Sequence, residues 1–150
     1  MAFTQNTNPT FVKQPQNGKV QFTTTGGGVV TASTGALTNA VTIYTAGASG
    51  SKITALLASS TDSSAQTVVI AIYNGATYFV LGSTSIPITA GTISATGSVD
   101  LMNSTAMPAL PLDSDGNHYL ILASGDTLVA TALGLTASKV INFTALGGDF

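Results

Sequence analysis

The sequence predicts an all-β domain, an antiparallel sandwich or barrel. Three observations predict it. Short runs of alternating or wholly apolar residues recur about every eight to twelve residues, with turn residues between them. Threonine, serine, alanine and glycine supply about half of the chain. Threonine and valine favour strands, while glycine and serine favour turns. Charged residues make up 7%, against roughly 25% in ordinary globular proteins, so a long helix would have little to solvate its outer face. The length of 150 residues fits one domain with a real core.

The first segment, residues 1–17, reads as an extended N-terminal arm. It holds Asn6, Asn8, Pro9, Pro15 and Asn17, with Phe3 and Phe11 spaced along it, a composition that breaks both helix and strand. Two aromatics in a polar arm suit either packing on the arm's own domain or docking on a partner. Phe3, Pro9 and Phe11 are the candidate partner contacts. The sandwich itself is expected over residues 18–150, with about eight or nine strands.

Lys19–Thr25 alternates Val20, Phe22 and Thr24 against Lys19, Gln21 and Thr23, and the triplet Gly26–Gly28 ends it. Ala40–Ala46 places Val41, Ile43 and Thr45 opposite Thr42 and Tyr44. Lys52–Ser60 also fits a short helical segment, but the flanking Gly50 and the β-rich context favour a strand. Thr67–Tyr73 is apolar on both faces, which marks a central strand covered on both sides. Asn74-Gly75 joins it to Thr77–Leu81 and suits the positive φ angles of a type I′ turn. Pro87 confines Ser83–Thr89 to an edge or a strand start. Val99 and Leu101 fit a short strand, and Pro108 and Pro111 bracket an extended connection. Further strands are expected at His118–Ala123, Thr127–Leu133 and Lys139–Ala145. No repeat of fixed period occurs, which argues against a solenoid or propeller.

The chemistry-bearing inventory is thin. The chain carries four lysines (Lys13, Lys19, Lys52, Lys139) and six aspartates, with no arginine, glutamate or cysteine and a net charge of −2. A phosphate-tracking nucleic-acid binder needs a basic surface. Disulfides, thiolate zinc sites and cysteine nucleophiles are excluded outright. His118 is the only histidine and starts an apolar strand, so a half-exposed strand-edge imidazole is the expectation. Gly47-Ala48-Ser49-Gly50 lacks the spacing of a nucleophile elbow, and no phosphate-binding glycine motif opens a helix. Asp113-Ser114-Asp115-Gly116-Asn117 has the alternating oxygens that begin a calcium loop. An EF-hand also needs a glutamate, so an Asx-type turn is expected and a weak cation site is the alternative. No enzyme, cofactor or metal centre is implied.

Met1–Thr10 has no basic region followed by an apolar run, so it does not read as a secretory signal. Asn103-Ser104-Thr105 and Asn142-Phe143-Thr144 match the glycosylation triplet, which then carries little weight. No apolar run reaches the roughly 18 residues of a membrane helix. Synthesis in the cytoplasm is expected. Soluble monomers usually carry mixed surface charge to resist association, so this composition suits a permanent component of an assembly.

Several segments together resemble a family. They are Gly47-Ala48-Ser49-Gly50-Ser51-Lys52-Ile53, Ile72-Tyr73-Asn74-Gly75, Leu110-Pro111-Leu112-Asp113, Tyr119-Leu120-Ile121-Leu122 with Gly125, and Ala145-Leu146-Gly147-Gly148-Asp149-Phe150. In their order and spacing they resemble small virion proteins of tailed bacteriophages, the capsid decoration or cement proteins. The likeness covers roughly Gly47–Phe150. It implies a jelly-roll-like sandwich on the outer surface of an icosahedral head, usually a homo-oligomer (a dimer or trimer), clamping neighbouring copies of the major capsid protein. Neither nucleic acid nor membrane is an expected partner. Two other readings stay open: a different virion part, such as a head fibre base or tail component, and a carbohydrate-binding β-sandwich. The last would need exposed aromatics, and Tyr44, Tyr73, Tyr78 and Tyr119 all fall in expected strands.

Overall fold

The computed structural model describes residues 13–93 and 96–150. Among these residues nine strands run in the order β1 (Gln14–Phe22), β2 (Val41–Thr45), β3 (Ser51–Ser60), β4 (Gln66–Tyr73), β5 (Tyr78–Ile86), β6 (Val99–Asp100), β7 (Leu120–Leu122), β8 (Thr127–Ala132) and β9 (Ile141–Asp149). No helix occurs among the described residues. All pairings are antiparallel. One sheet has the order β1-β9-β3-β6, with β7 also on β3, and the other has the order β2-β8-β4-β5.

Strands β6 and β7 are two pieces of one strand. Both run antiparallel to β3, Val99–Asp100 beside Ala58 and Leu57, and Leu120–Leu122 beside Ile53–Ser51. Residues 101–119 leave the sheet between them. Counted as one, these pieces give β1-β9-β3-β6/7 facing β2-β8-β4-β5, the double Greek key of an eight-stranded jelly roll. The departing segment is anchored by apolar side chains, because Leu101 and Met107 are fully buried in the main core.

That core lies between the sheets. Phe22, Ile53, Leu56, Ile70, Ile86, Leu122, Leu128, Ile141 and Phe143 fill it. β4 is central in its sheet and covered on both faces, as its composition predicts. Val68 and Ile70 belong to the main core, whereas Val69 and Ala71 join Leu37 and Val129 in a second cluster. The cover on that outer side comes from the β1–β2 connection, folded back on itself by the Val30–Leu37 bridge.

The registers define two ends. The turns at 46–50, 74–77 and 123–126 share one end with the start of β1 and the end of β9. The connections 23–40, 61–65, 87–98 and 133–140 occupy the other.

Several local expectations are corrected. β1 begins at Gln14, inside the expected arm, because residues 14–17 pair with Asp149–Leu146. Pro15 is tolerated there since β1 is an edge strand. β9 continues past Ala145 through Gly147 and Gly148, which look like a turn in sequence but are held between β1 and β3. In β2 a bulge between Thr42 and Tyr44 breaks the alternation, so Ile43 and Tyr44 are both buried. The expected strands Thr77–Leu81 and Ser83–Thr89 are one strand, β5, with a bulge at Leu81. The turn before it has four residues rather than two. Only Gly75 there takes positive φ, at 91°. Asn74 works through its side chain instead, its Oδ1 accepting from the amides of Ala76 at 3.1 Å and Thr77 at 2.9 Å. Tyr119 lies just outside the three-residue β7.

Candidate functional site

Phe3, Pro9 and Phe11 lie outside the described residues. The described chain fixes where the segment that carries them starts. The Lys13 amide donates to the Asp149 carbonyl at 2.8 Å, so the N-terminal segment joins the start of β1 beside the end of β9.

A polar cluster braces that point. Asp149 Oδ1 accepts from Ser51 Oγ at 2.6 Å and from Tyr44 Oη at 3.0 Å, and its Oδ2 accepts from Gln16 Nε2 at 2.7 Å. Ser51 Oγ accepts in turn from the Gly47 amide at 3.0 Å. One carboxylate thus ties β1, β2, β3 and β9 together. Burial pushes the Tyr44 phenol above its ordinary 10.0, and its bond to Asp149 adds to the rise. Tyr44 therefore stays protonated and keeps donating. Sequence reading missed this cluster, because its members stand far apart in the chain and only the bulge in β2 turns Tyr44 inward.

Four of the five segments singled out in the sequence reach this end, and the fifth, Leu110–Asp113, lies beside His118 in the 101–119 excursion. Ser51 is paired with both Leu122 and Asp149. The Phe150 amide donates to the Gly50 carbonyl at 3.2 Å, and the Ala46 amide to that of Asp126 at 2.9 Å. Lys52 Nζ lies 4.7 Å from the centre of the Tyr119 ring, a cation–π distance. Tyr73, at the end of β4, pairs with Thr127.

His118 sits apart, half-buried, its Nδ1 3.3 Å from the Leu110 carbonyl. It lines an open cleft of about 430 Å³ with Thr54, Asp100, Asn103 and Asn117, formed where 101–119 leaves the sheet. The polar groups around it are largely spent on local turns. Asp100 Oδ1 accepts from the Met102 amide at 2.9 Å, and Asn103 Oδ1 accepts from Thr105 at 2.9 Å and Ala106 at 2.8 Å. No nucleophile or second acid–base group is aligned with the imidazole by a hydrogen bond among the described residues.

Residues 113–117 form the expected Asx turn. Asp113 Oδ1 accepts from the amides of Asp115 at 3.0 Å and Asn117 at 2.8 Å. The Asn117 amide is the main reason the Asp113 carboxyl lies below its ordinary 3.8. Among the described residues, no three His, Cys, Asp or Glu side chains gather as metal ligands.

A second carboxylate, the buried Asp62, was not singled out by sequence either. Its Oδ1 accepts from the Ser64 amide at 3.0 Å and Thr136 Oγ1 at 2.7 Å; its Oδ2 accepts from Gln66 Nε2 at 2.8 Å and the Thr136 amide at 2.9 Å. Burial alone would raise its pKa. The four donors, led by the Thr136 amide, outweigh burial and hold it below 3.8. With every acceptor engaged, Asp62 braces the 61–65 and 133–140 connections and is not poised for proton transfer.

The tyrosines form no open platform. Tyr44 is buried. Tyr73 and Tyr78 stack on each other with ring centres 4.6 Å apart, and Tyr119 lies under Lys52. The exposed large apolar side chains are spread over the surface: Phe79, Val80 and Ile88 along and just beyond β5, Ile121 on β7, Leu146 on β9, and Val29, Ile93, Leu112 and Leu133 in the connections. None of the described helices is long and apolar enough to cross a membrane, since there are none. Compared with known proteins, the chain matches no family model, no curated protein and no solved structure.

Proposed function

We propose that this chain is a structural virion protein that decorates a phage capsid and stabilises it by binding across neighbouring major capsid proteins. One observation carries the reading. Four of the five segments that resemble capsid decoration proteins, dispersed over Gly47–Phe150 in sequence, reach one end of a jelly roll, where the N-terminal segment also emerges. The sparse charge supports a contact built from apolar burial and backbone pairing rather than ion pairs. Phe3, Pro9 and Phe11 supply anchors within reach of a neighbour, since twelve extended residues span at most about 40 Å. A protein that binds the assembled shell better than free subunits stabilises the shell by linkage. The outer capsid surface is its place of action in this reading.

The test is co-sedimentation of the purified chain with assembled shells that lack decoration. Saturable binding to shells, and weaker binding to free capsid subunits, is the expected result. Absence of saturable binding to the shell would end the proposal. Removing residues 1–12 then asks whether the arm is the anchor. The deletion stops at Val12 because Gln14–Asn17 belong to β1. Weaker shell binding by a chain that melts normally is expected.

A further inference from the structure

The sandwich has four strand edges, and three are guarded. β1 carries Pro15 and Lys19, with Lys13 just before it. β2 is five residues long and bulged. The β6/β7 edge is broken by residues 101–119. Such features blunt an edge against pairing with another chain. β5 differs. Its nine residues, YFVLGSTSI, include no charge and no proline, and only the bulge at Leu81 and the following Pro87 limit it. Among the described residues β5 pairs with β4 alone, and none of their loops bonds to its backbone.

Three of the exposed large apolar side chains lie at the two ends of this edge. Phe79 (51% exposed) and Val80 (45%) stand at its start, and Ile88 (52%) stands just past its end. Antiparallel pairing of the strand with itself brings start against end. Each exposed group then meets its counterpart from the other copy, and the absence of charge leaves no like-charge repulsion across the seam.

We propose that β5 is a homodimer seam. Two copies pair antiparallel about a two-fold axis near Ser83, joining their four-stranded sheets into one continuous sheet of eight. Phe79 and Val80 of each copy then lie beside residues 85–88 of the other. The contact is isologous, so it closes at two copies. It rests on the sheet edges alone and stands or falls independently of the capsid reading.

The experiment is the solution mass of the full chain by light scattering, without any capsid present. A mass twice the 15.0 kDa chain is expected. Val80→Lys with Ser85→Lys places charges on the edge and is expected to return the protein to the monomer mass with its melting transition retained. A wild-type monomer, a trimer, or a dimer that both lysines leave intact would overturn the proposal. Ser83→Cys gives a second readout if the lysine variant fails to fold. The chain has no cysteine of its own, and directly paired strands bring Cα atoms within disulfide range. Mild oxidation is expected to link Ser83→Cys into a covalent dimer but not Ser49→Cys, which lies in an exposed turn at the end of the sandwich. Equal linking of the two, or none, counts against the seam.

Discussion

Strand β4 places Val68 and Ile70 between the sheets and Val69 and Ala71 beneath the 29–40 connection. Strand β1 is of similar length but exposes Gln14–Asn17, Lys19 and Gln21 and fully buries only Phe22. The difference extends to the sheets that hold them. The outer face around β1 is a polar ladder, with Gln21 Nε2 donating to Asn142 Oδ1 at 2.8 Å. The outer face around β4 is apolar and roofed by chain. A protein with so few charges solvates the outer face around β1 with amides and hydroxyls and withdraws the outer face around β4 from water. The second cluster is therefore a genuine layer of core, made necessary by a strand that alternates between two apolar faces.

Truncation at the centre of this arrangement gives the largest expected effect. Ile70 is 1% exposed, and Ile70→Ala is expected to cost about 2–5 kcal/mol in denaturant unfolding. Val69→Ala, on the roofed face, is expected to cost about 1–3 kcal/mol by the same cavity argument. Gln21→Ala on the ladder is expected to stay within about 0.5 kcal/mol, as for a surface change. If Val69→Ala is as mild as Gln21→Ala, the 29–40 connection is a loose cover and the contrast between the sheets fails.

Asp62 tests whether the far end depends on one buried carboxylate. Asp62→Ala leaves donors from Ser64, Gln66 and Thr136 without their acceptor, and a buried orphaned donor costs about 1–3 kcal/mol. The acid profile gives an independent reading. The folded pKa lies below the unfolded value, so the unfolded chain takes up the proton first. The stabilisation is complete well above pH 3.8 and is lost as pH falls through that value towards the lower folded one. Asp62→Asn is expected to flatten that part of the acid-unfolding curve. An unchanged slope would show that other carboxylates govern it.

Gly18 tests how closely the two sheets approach where β1 crosses β2. A Cβ there would meet the Ile43 carbonyl, which belongs to a backbone rather than to a yielding side chain. Gly18→Ala is expected to cost about 1–3 kcal/mol through overpacking. Gly97→Ala, which meets nothing within 4 Å, is the control. Equal melting of the two would mean that β1 can move away from β2, leaving the ladder sheet less tightly held than its partner.

Apolar pattern makes β4 and β8 legible in sequence, because a buried strand shows its apolar faces directly, whereas β3 also fits a helical segment and is legible only from Gly50 and its β-rich context. The Asn74-Gly75 hairpin is legible as a connection but not in its turn type, since Asn74 can serve through either its backbone or its side chain. The ends of β1 and β9 are not legible. Residues 14–17 and 147–148 carry no apolar pattern, and their pairing comes from position between neighbouring strands. Tyr44 is misplaced for a related reason: one bulge residue reverses every side chain that follows it. The Asx turn at Asp113 is readable because its donors and acceptor lie within five consecutive residues. Asp62 and Asp149 are not, because Thr136, Tyr44, Ser51 and Gln16 reach them only after folding.

Asp113 is the counterpart of Asp62 and is expected to give the smallest effect. Both carboxyls lie below 3.8, and backbone amides lower both. The difference is solvent. Asp113 stands at the surface, where water competes for the same oxygens and salt screens its charge. Its lowered pKa therefore describes a local turn and not a brace between distant segments. Asp113→Asn keeps an acceptor for the Asp115 and Asn117 amides, so its acid-unfolding curve is expected to overlay the parent's. Chelator is likewise expected to leave the melting transition unchanged, because Asp113 Oδ1 is already engaged by two amides. A fall in melting temperature with chelator, reversed by calcium and absent in Asp113→Asn, would instead make the turn a cation site. The contrast would then lie between a carboxylate held by protein donors and one held by metal.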